Sequence, residues 1–190
     1  HFTAENVIYE FCKGLANIKA GTSITNQSAF HACSVTKTFT AITILQLKQE
    51  GKLNIEMPVK TYWPGFPYAG DITIHHLLSH TAGIPNPIPL RWIHLADEHL
   101  SFDRNAFFKS VVEKYRSIQT NPNEKFSYSN LGYVLLGQLI EKLSGKDYEQ
   151  FITDSIITNM GLLQGELGFT ITDFLNNVTG YQKNRTFMNM

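Results

Sequence analysis

Ser34-Val35-Thr36-Lys37 sets a hydroxyl and an amine three residues apart, the spacing that puts two side chains on one face of a helix. At a helix start, free N–H groups and the helix dipole favour negative charge on the serine oxygen. An amine one turn on can accept its proton if burial lowers the amine's pKa, so the pair reads as an activated nucleophile. The plainer reading is a serine N-cap followed by a surface lysine. With 11 Ser and 12 Lys, about 0.7 S-x-x-K matches arise by chance in this length, so the motif decides nothing alone. Tyr128-Ser129-Asn130 would suit the same chemistry. A phenol with an ordinary pKa near 10 becomes a usable base beside an ammonium, and the Asn130 amide can hold both the lysine and a substrate carbonyl. Its plain alternative is a tyrosine packed at a helix start with Asn130 as N-cap.

These residues need rigid supports, and the surrounding pattern supplies them. Runs at 7–12, 15–19 and 29–33 are β-prone, with Lys13 and Gly14 between the first two, which predicts a hairpin and a sheet-forming first third. From Thr36 the period changes to helix. Phe39, Ile42 and Leu45 form one stripe, Ala41, Ile44 and Leu47 thicken it, and Gly51 suits the C′ position. A helix apolar on most sides is expected to be buried. A Pro- and aromatic-rich connection leads to a short helix capped by Thr73 and ending at Ser79. Helices are predicted again at 103–117, where Phe107, Val111 and Tyr115 recur. Two more follow, one striped by Leu131, Val134, Leu135, Ile140 and Leu143 before Gly145, the next by Tyr148, Phe151, Ile152 and Ile156 before Gly161.

Other chemistry-bearing residues are read as structural. His76 and His80 lie four apart and would share a helical face, but no Glu stands at position 77 and no third ligand is evident beside His75. No metal is expected, and His80 is read as bonding backbone in its loop. Cys33 is read as a small buried packing residue rather than a thiol catalyst. Trp63, Phe66 and Tyr68 are read as a loop packed on the core rather than a pocket edge.

Composition sets the outer limits. The chain has 190 residues, 43% of them hydrophobic and 17% charged, which suits one globular domain and excludes a disordered tail. Its 16 basic side chains balance 16 acidic ones, leaving no electrostatic footprint for nucleic acid or an anionic membrane. The longest apolar runs fall far short of the roughly 20 residues that cross a bilayer. Two cysteines, Cys12 and Cys33, make no disulfide scaffold and lack C-x-x-C spacing. His1 stands where a Met would open a chain, so the N terminus is expected to be a processing or cloning boundary.

Each motif occurs once, nucleophile before base, each at a loop-to-helix junction. With FHACSVTKTFTAITILQLKQEGKLNIEMPVKTYWP, ITIHHLLSHTAGIP and FSYSNLGYVLLGQLIEKLSG in that order, the sequence resembles the serine β-lactamase and penicillin-binding-protein family, most closely its branch of class C β-lactamases, DD-peptidases and esterases. The resemblance covers about residues 5–165. It implies that Ser34 is acylated, that Lys37 and Tyr128 share proton transfer, and that Asn130 positions substrate. It implies no cofactor, a small-molecule or peptide substrate with an amide, lactam or ester carbonyl, and a periplasmic, secreted or envelope setting.

The implied fold is α/β (α+β), β-lactamase/transpeptidase-like: an antiparallel sheet packed with helices plus a mostly helical subdomain. Within one domain over 1–190, strands are expected at 1–35, the nucleophile helix at 36–51, helices through 52–165 and a return toward the sheet at 166–190. The family's third motif, Lys or His followed by Thr-Gly, is not met here. Val178-Thr179-Gly180 lacks the first residue, and His80-Thr81-Ala82-Gly83 precedes Tyr128. An incomplete sheet, self-association through its edge and weak turnover by this chain are therefore expected. The competing reading is a catalytically inactive relative or fragment serving as a binding or assembly module. Labelling of Ser34 by a fluorescent penicillin or a fluorophosphonate separates the two.

Overall fold

Thr73 offers its hydroxyl to the backbone of a residue three positions on, and the helix it opens shows how local chemistry builds this chain. A computed structural model describes residues 2–3, 6–7, 9–68, 70–87, 101–162, 166–169, 177–182 and 185–187. Its helices are α1 (Thr36–Gln49), α2 (Ile74–Leu78), α3 (Arg104–Lys114), α4 (Asn130–Ser144) and α5 (Tyr148–Ile152). Before α2, Thr73 Oγ1 accepts the His76 N–H while His76 Nδ1 accepts the Thr73 N–H, a reciprocal cap. Asp103 caps α3 through the N–H groups of Asn105 and Ala106. Gly145, at φ +69, ends α4 in the left-handed conformation that glycine adopts without strain. After α5 the chain widens into a π turn over Thr153–Ile157, tightens over Thr158–Met160 and stops at Gly161.

The strand expectations need correction. Strands β1 (Phe2–Thr3) and β2 (Asn6–Val7) pair, as do β3 (Leu15–Asn17) and β4 (Thr22–Ser23). Residues 9–12 form no strand, and the hairpin lies at β3–β4 rather than around Lys13 and Gly14. The run at 29–33 keeps one bridge, Ala29 to Asn177, before Cys33–Val35 turns into a 3-10 helix. β-propensity expresses itself only where a partner strand is at hand, and 9–12 have none among the described residues. The C-terminal part returns to this region. Val178 N–H donates to the Ala29 carbonyl (3.0 Å), Thr179 N–H to that of Ala16 (2.9 Å), and β5 (Gly180–Gln182) pairs with β6 (Arg185–Phe187). Residues 170–176, within the expected return, lie outside the described residues.

The core gathers Ile44 and Leu47 from α1, Val59 and Ile72 from the connection, Ile74 and Leu77 from α2, Ile84, and Leu131, Leu135, Leu136, Leu139 and Ile140 from α4. Phe66 and Tyr68 are buried in it, and Trp63 meets Phe66 edge-on at 5.6 Å, so this aromatic group packs on the core.

The first helix is not buried on most sides. Thr40, Thr43, Ile44 and Leu47 face inward against α4 and α5, whereas Val35, Ile42 and Leu45 are 61%, 41% and 48% exposed. Two apolar stripes run along α1, and neighbours among the described residues cover only one. The covered stripe is partly polar: Thr40 bonds the Tyr148 hydroxyl at 2.7 Å, whereas the buried Thr43 hydroxyl meets no partner among the described residues.

Candidate active site

Ser34 lies in the middle of the 3-10 turn Cys33–Val35, which runs without interruption into α1. Cys33 makes the corner with φ +46, a left-handed backbone conformation that non-glycine residues seldom adopt. That corner turns the Cys33 side chain outward, so the cysteine expected in the interior is exposed. Ser34 is likewise exposed, and Lys37 follows on the same helical face with its ammonium donating toward Ser34 Oγ at 3.4 Å.

Tyr128 arrives on the loop that precedes α4, 94 residues on in sequence from Ser34. The loop that carries it is hydrogen-bonded along the segment after α2: Gln119 N–H to the Gly83 carbonyl (2.7 Å), Asn123 N–H to that of Thr81 (2.8 Å) and Ser127 N–H to that of His80 (2.7 Å). The two loops approach so closely that a Cβ on Gly83, whose φ is +68, would stand 2.1 Å from the Thr120 carbonyl oxygen. Ser129, rather than Asn130, is the N-cap of α4. Its Oγ accepts the Gly132 N–H and donates to the Pro85 carbonyl at 2.9 Å.

The outcome is a four-residue junction. The Tyr128 hydroxyl donates to Ser34 Oγ at 3.0 Å, and the Lys37 ammonium donates to Asn130 Oδ1 at 2.7 Å. Lys37 Nζ also sits 5.0 Å from the centre of the Tyr128 ring and 5.7 Å from that of Tyr133. The Lys37 ammonium, and next the bond with Ser34, hold the Tyr128 phenol below its ordinary value of 10. Opposite conditions act on Tyr133, which burial pushes up and whose hydroxyl donates to the Leu78 carbonyl. The arrangement links an exposed serine hydroxyl to a phenol made easier to ionise and to a cation held by Asn130.

Two contributors lay outside the motifs. Asn86 Oδ1 accepts both the backbone N–H and the side-chain Nδ2 of Asn130, each at 3.0 Å, and so turns Asn130 Oδ1 toward Lys37. The signal for it was an asparagine between Pro85 and Pro87, which donate no backbone N–H. His80 meets the expectation that it bonds backbone: its Nδ1 accepts the Ser129 N–H at 3.1 Å. His76 is engaged in the α2 cap and His75 faces Glu56 at 3.6 Å. Among the described residues no group of three or more His, Cys, Asp or Glu side chains could hold a metal, and no helix is long and apolar enough to cross a membrane.

A cavity of about 430 Å³ adjoins Lys37 and Asn130. Phe107 and Phe108 of α3, Tyr133 and Val134 of α4 and Tyr148 of α5 give it a mainly apolar lining, with Thr36 and Thr40 on the α1 side.

Known proteins share this arrangement of the chain. Penicillin-binding protein 4* of Bacillus subtilis (strain 168) is 36% identical over 158 residues, which are 83% of this chain and 34% of that protein. The crystal structure of a penicillin binding protein from Bacillus halodurans superposes with a TM-score of 0.73 at 26% identity, over 96% of this chain and 59% of that one. D-amino acid amidase from Ochrobactrum anthropi SV3, complexed with L-phenylalanine, does so at 0.69 and 25% identity, over 88% and 45%. The chain thus spans about a third of the length of that relative. The Beta-lactamase family model matches residues 3–187, and the chain belongs to that family, with the β-lactamase/transpeptidase-like fold.

Proposed function

We propose that this chain carries the acylation site of a serine hydrolase. The observation that supports it most is the 3.0 Å bond from the Tyr128 hydroxyl to Ser34 Oγ, made beside the Lys37 ammonium. Proton transfer needs heavy atoms about 2.6 to 3.2 Å apart. In this reading Ser34 Oγ attacks the carbonyl carbon of an amide, lactam or ester, and Tyr128, in the phenolate form that the Lys37 ammonium favours, takes the serine proton. The tetrahedral adduct collapses with cleavage of the C–N or C–O bond, and the same proton goes to the leaving nitrogen or oxygen. Water then attacks the acyl-Ser34 ester, gives up a proton to the Tyr128–Lys37 pair and releases the carboxylic acid, after which Ser34 is reprotonated. Asn130, held by Asn86, orients Lys37 and offers its amide to the substrate.

The apolar cavity beside Lys37 and Asn130 supports substrates whose acyl group carries an apolar or aromatic substituent. The exposed stripe of α1, with Ile42 and Leu45, supports self-association, which size-exclusion chromatography reads directly.

Labelling with a fluorophosphonate and a fluorescent penicillin tests the reading. A covalent adduct mapped by peptide mass to Ser34, and lost in Ser34→Ala, is the expected result. A folded chain that takes no label at Ser34 overturns it and leaves a binding role.

A further inference from the structure

Tyr128 reaches Ser34 from a loop, and His80 holds that loop from three directions. The His80 main-chain carbonyl accepts the Ser127 N–H at 2.7 Å, and its Nδ1 accepts the Ser129 N–H at 3.1 Å. The two bonds grip the residues on either side of Tyr128. Between them, the imidazole lies against the Tyr128 ring with centroids 4.5 Å apart, backed by Tyr133 at 4.9 Å and Phe126 at 5.8 Å. His80 adopts φ +59, so its carbonyl and its ring serve the same loop through a backbone conformation that few non-glycine residues adopt. An Nδ1 that accepts an N–H leaves the ring proton on Nε2, and the imidazole is neutral.

We propose that His80 is a positioning residue that fixes Tyr128 on Ser34 and releases it when the imidazole takes a proton. A proton on Nδ1 sets a donor against the Ser129 N–H, so the bond on the C-terminal side of Tyr128 is lost. Among the described residues, the titratable groups that face the ring are Lys37 from α1, Tyr128 from the loop and Tyr133 from α4. Burial, and then the Lys37 ammonium, keep the imidazole below its ordinary value. Neutral His80 therefore prevails at neutral pH, and release belongs to acid. The catalytic meaning rests on the hydrolase reading of Ser34, whereas the clamp itself is observable without turnover.

Two variants separate the ring from its acceptor. His80→Phe keeps an aromatic ring and removes Nδ1. His80→Asn keeps an acceptor near the Nδ1 position, takes no proton and tolerates a left-handed backbone. The first readout is the Tyr128 phenol titration by ultraviolet difference against Tyr128→Phe in each background. It is expected to move up toward 10 in His80→Phe and to stay near wild type in His80→Asn. The second is the fluorophosphonate labelling rate of Ser34, expected to fall by up to about 10²-fold in His80→Phe and to recover most of that in His80→Asn, with the acid limb of its pH profile removed. Should His80→Phe not fold, wild-type NMR serves: Tyr128 ring signals are expected to shift with the midpoint of His80. A folded His80→Phe whose Tyr128 titration is unmoved, or Tyr128 signals indifferent to His80 protonation, overturns the clamp. Coupled titrations with no label on Ser34 overturn the hydrolase reading and leave the clamp standing.

Discussion

Asn86 and Asn130 are joined by two hydrogen bonds into one oxygen, since Asn86 Oδ1 accepts from both the main-chain N–H and the Nδ2 of Asn130. The amide orientation follows from this, because Nδ2 turned toward Asn86 leaves Oδ1 for the Lys37 ammonium at 2.7 Å. Asn86→Leu removes the acceptor and frees the Asn130 amide to flip. Ser34 labelling should then slow by about tenfold, a modest misplacement on the scale at which 1 Å costs about 10²-fold. Asn86→Asp keeps the acceptor and should recover part of the loss. Equal rates for the Leu variant and wild type would show that the amide needs no such anchor.

Ser129 joins two structures at one hydroxyl, accepting the Gly132 N–H at the start of α4 and donating to the Pro85 carbonyl. Ser129→Ala loses an N-cap, worth about 1 kcal/mol, and leaves a buried carbonyl unpaired, worth about 1 to 3 kcal/mol. Urea denaturation should register a loss of roughly 2 to 4 kcal/mol. A change below about 0.5 kcal/mol, the range of an ordinary surface substitution, would mean that water replaces the hydroxyl at both partners.

Gly83 combines a left-handed backbone with the near approach of the Thr120 carbonyl. Gly83→Ala puts a methyl group where that oxygen stands, so the two loops must part. The expected destabilisation is roughly 2 to 4 kcal/mol, with Ser34 labelling reduced in the molecules that still fold. By contrast Gly51→Ala, at φ +73 in open space, should cost only about 1 kcal/mol.

Titration of the core gives stability an upper pH limit. Tyr68 is buried, donates to the Tyr115 carbonyl at 2.7 Å and has its phenol pushed up to about 12 by burial. A raised native pKa means that its contribution is whole below 10 and is lost as pH rises through 12. At about 1.4 kcal/mol per unit the loss is about 3 kcal/mol. Tyr68→Phe should flatten the stability curve over that window. On the acid side His80 and His76 act with the opposite sign, because burial lowers both. Their contribution is present above 6.5 and is lost as pH falls through their lowered native values. A urea midpoint independent of pH from 10 to 12 would remove Tyr68 from this role.

The sequence was most legible where chemistry is local. Thr73, Asp103, Gly145 and Gly161 bound their helices as read, because caps and stops act within three or four residues. Ser34, Lys37, Tyr128 and Asn130 were legible as two short motifs in order, and the structure places them within hydrogen-bond reach of one another. What stayed hidden depends on distant partners. Residues 9–12 carry strand-prone side chains but meet no strand among the described residues, and the stripe of α1 holding Ile42 and Leu45 is apolar yet lacks a cover among the described residues. Cys33 was misread because burial statistics for cysteine say nothing of a corner at φ +46.

The loop-to-loop seam between residues 80–83 and 119–127 carries a row of main-chain hydrogen bonds, from Gln119 to Gly83, Asn123 to Thr81 and Ser127 to His80, at the margin of the apolar core that Ala82 joins. Such a seam opens as a unit at a free energy below that of global unfolding. The amides of Gln119, Asn123 and Ser127 should therefore exchange with deuterium together, ahead of those inside α4. For the junction at Ser34 this makes assembly a step of its own. A molecule with every helix in place and the seam open keeps its circular dichroism but holds Tyr128 away from Ser34, so the helical signal overstates how much of a preparation is competent.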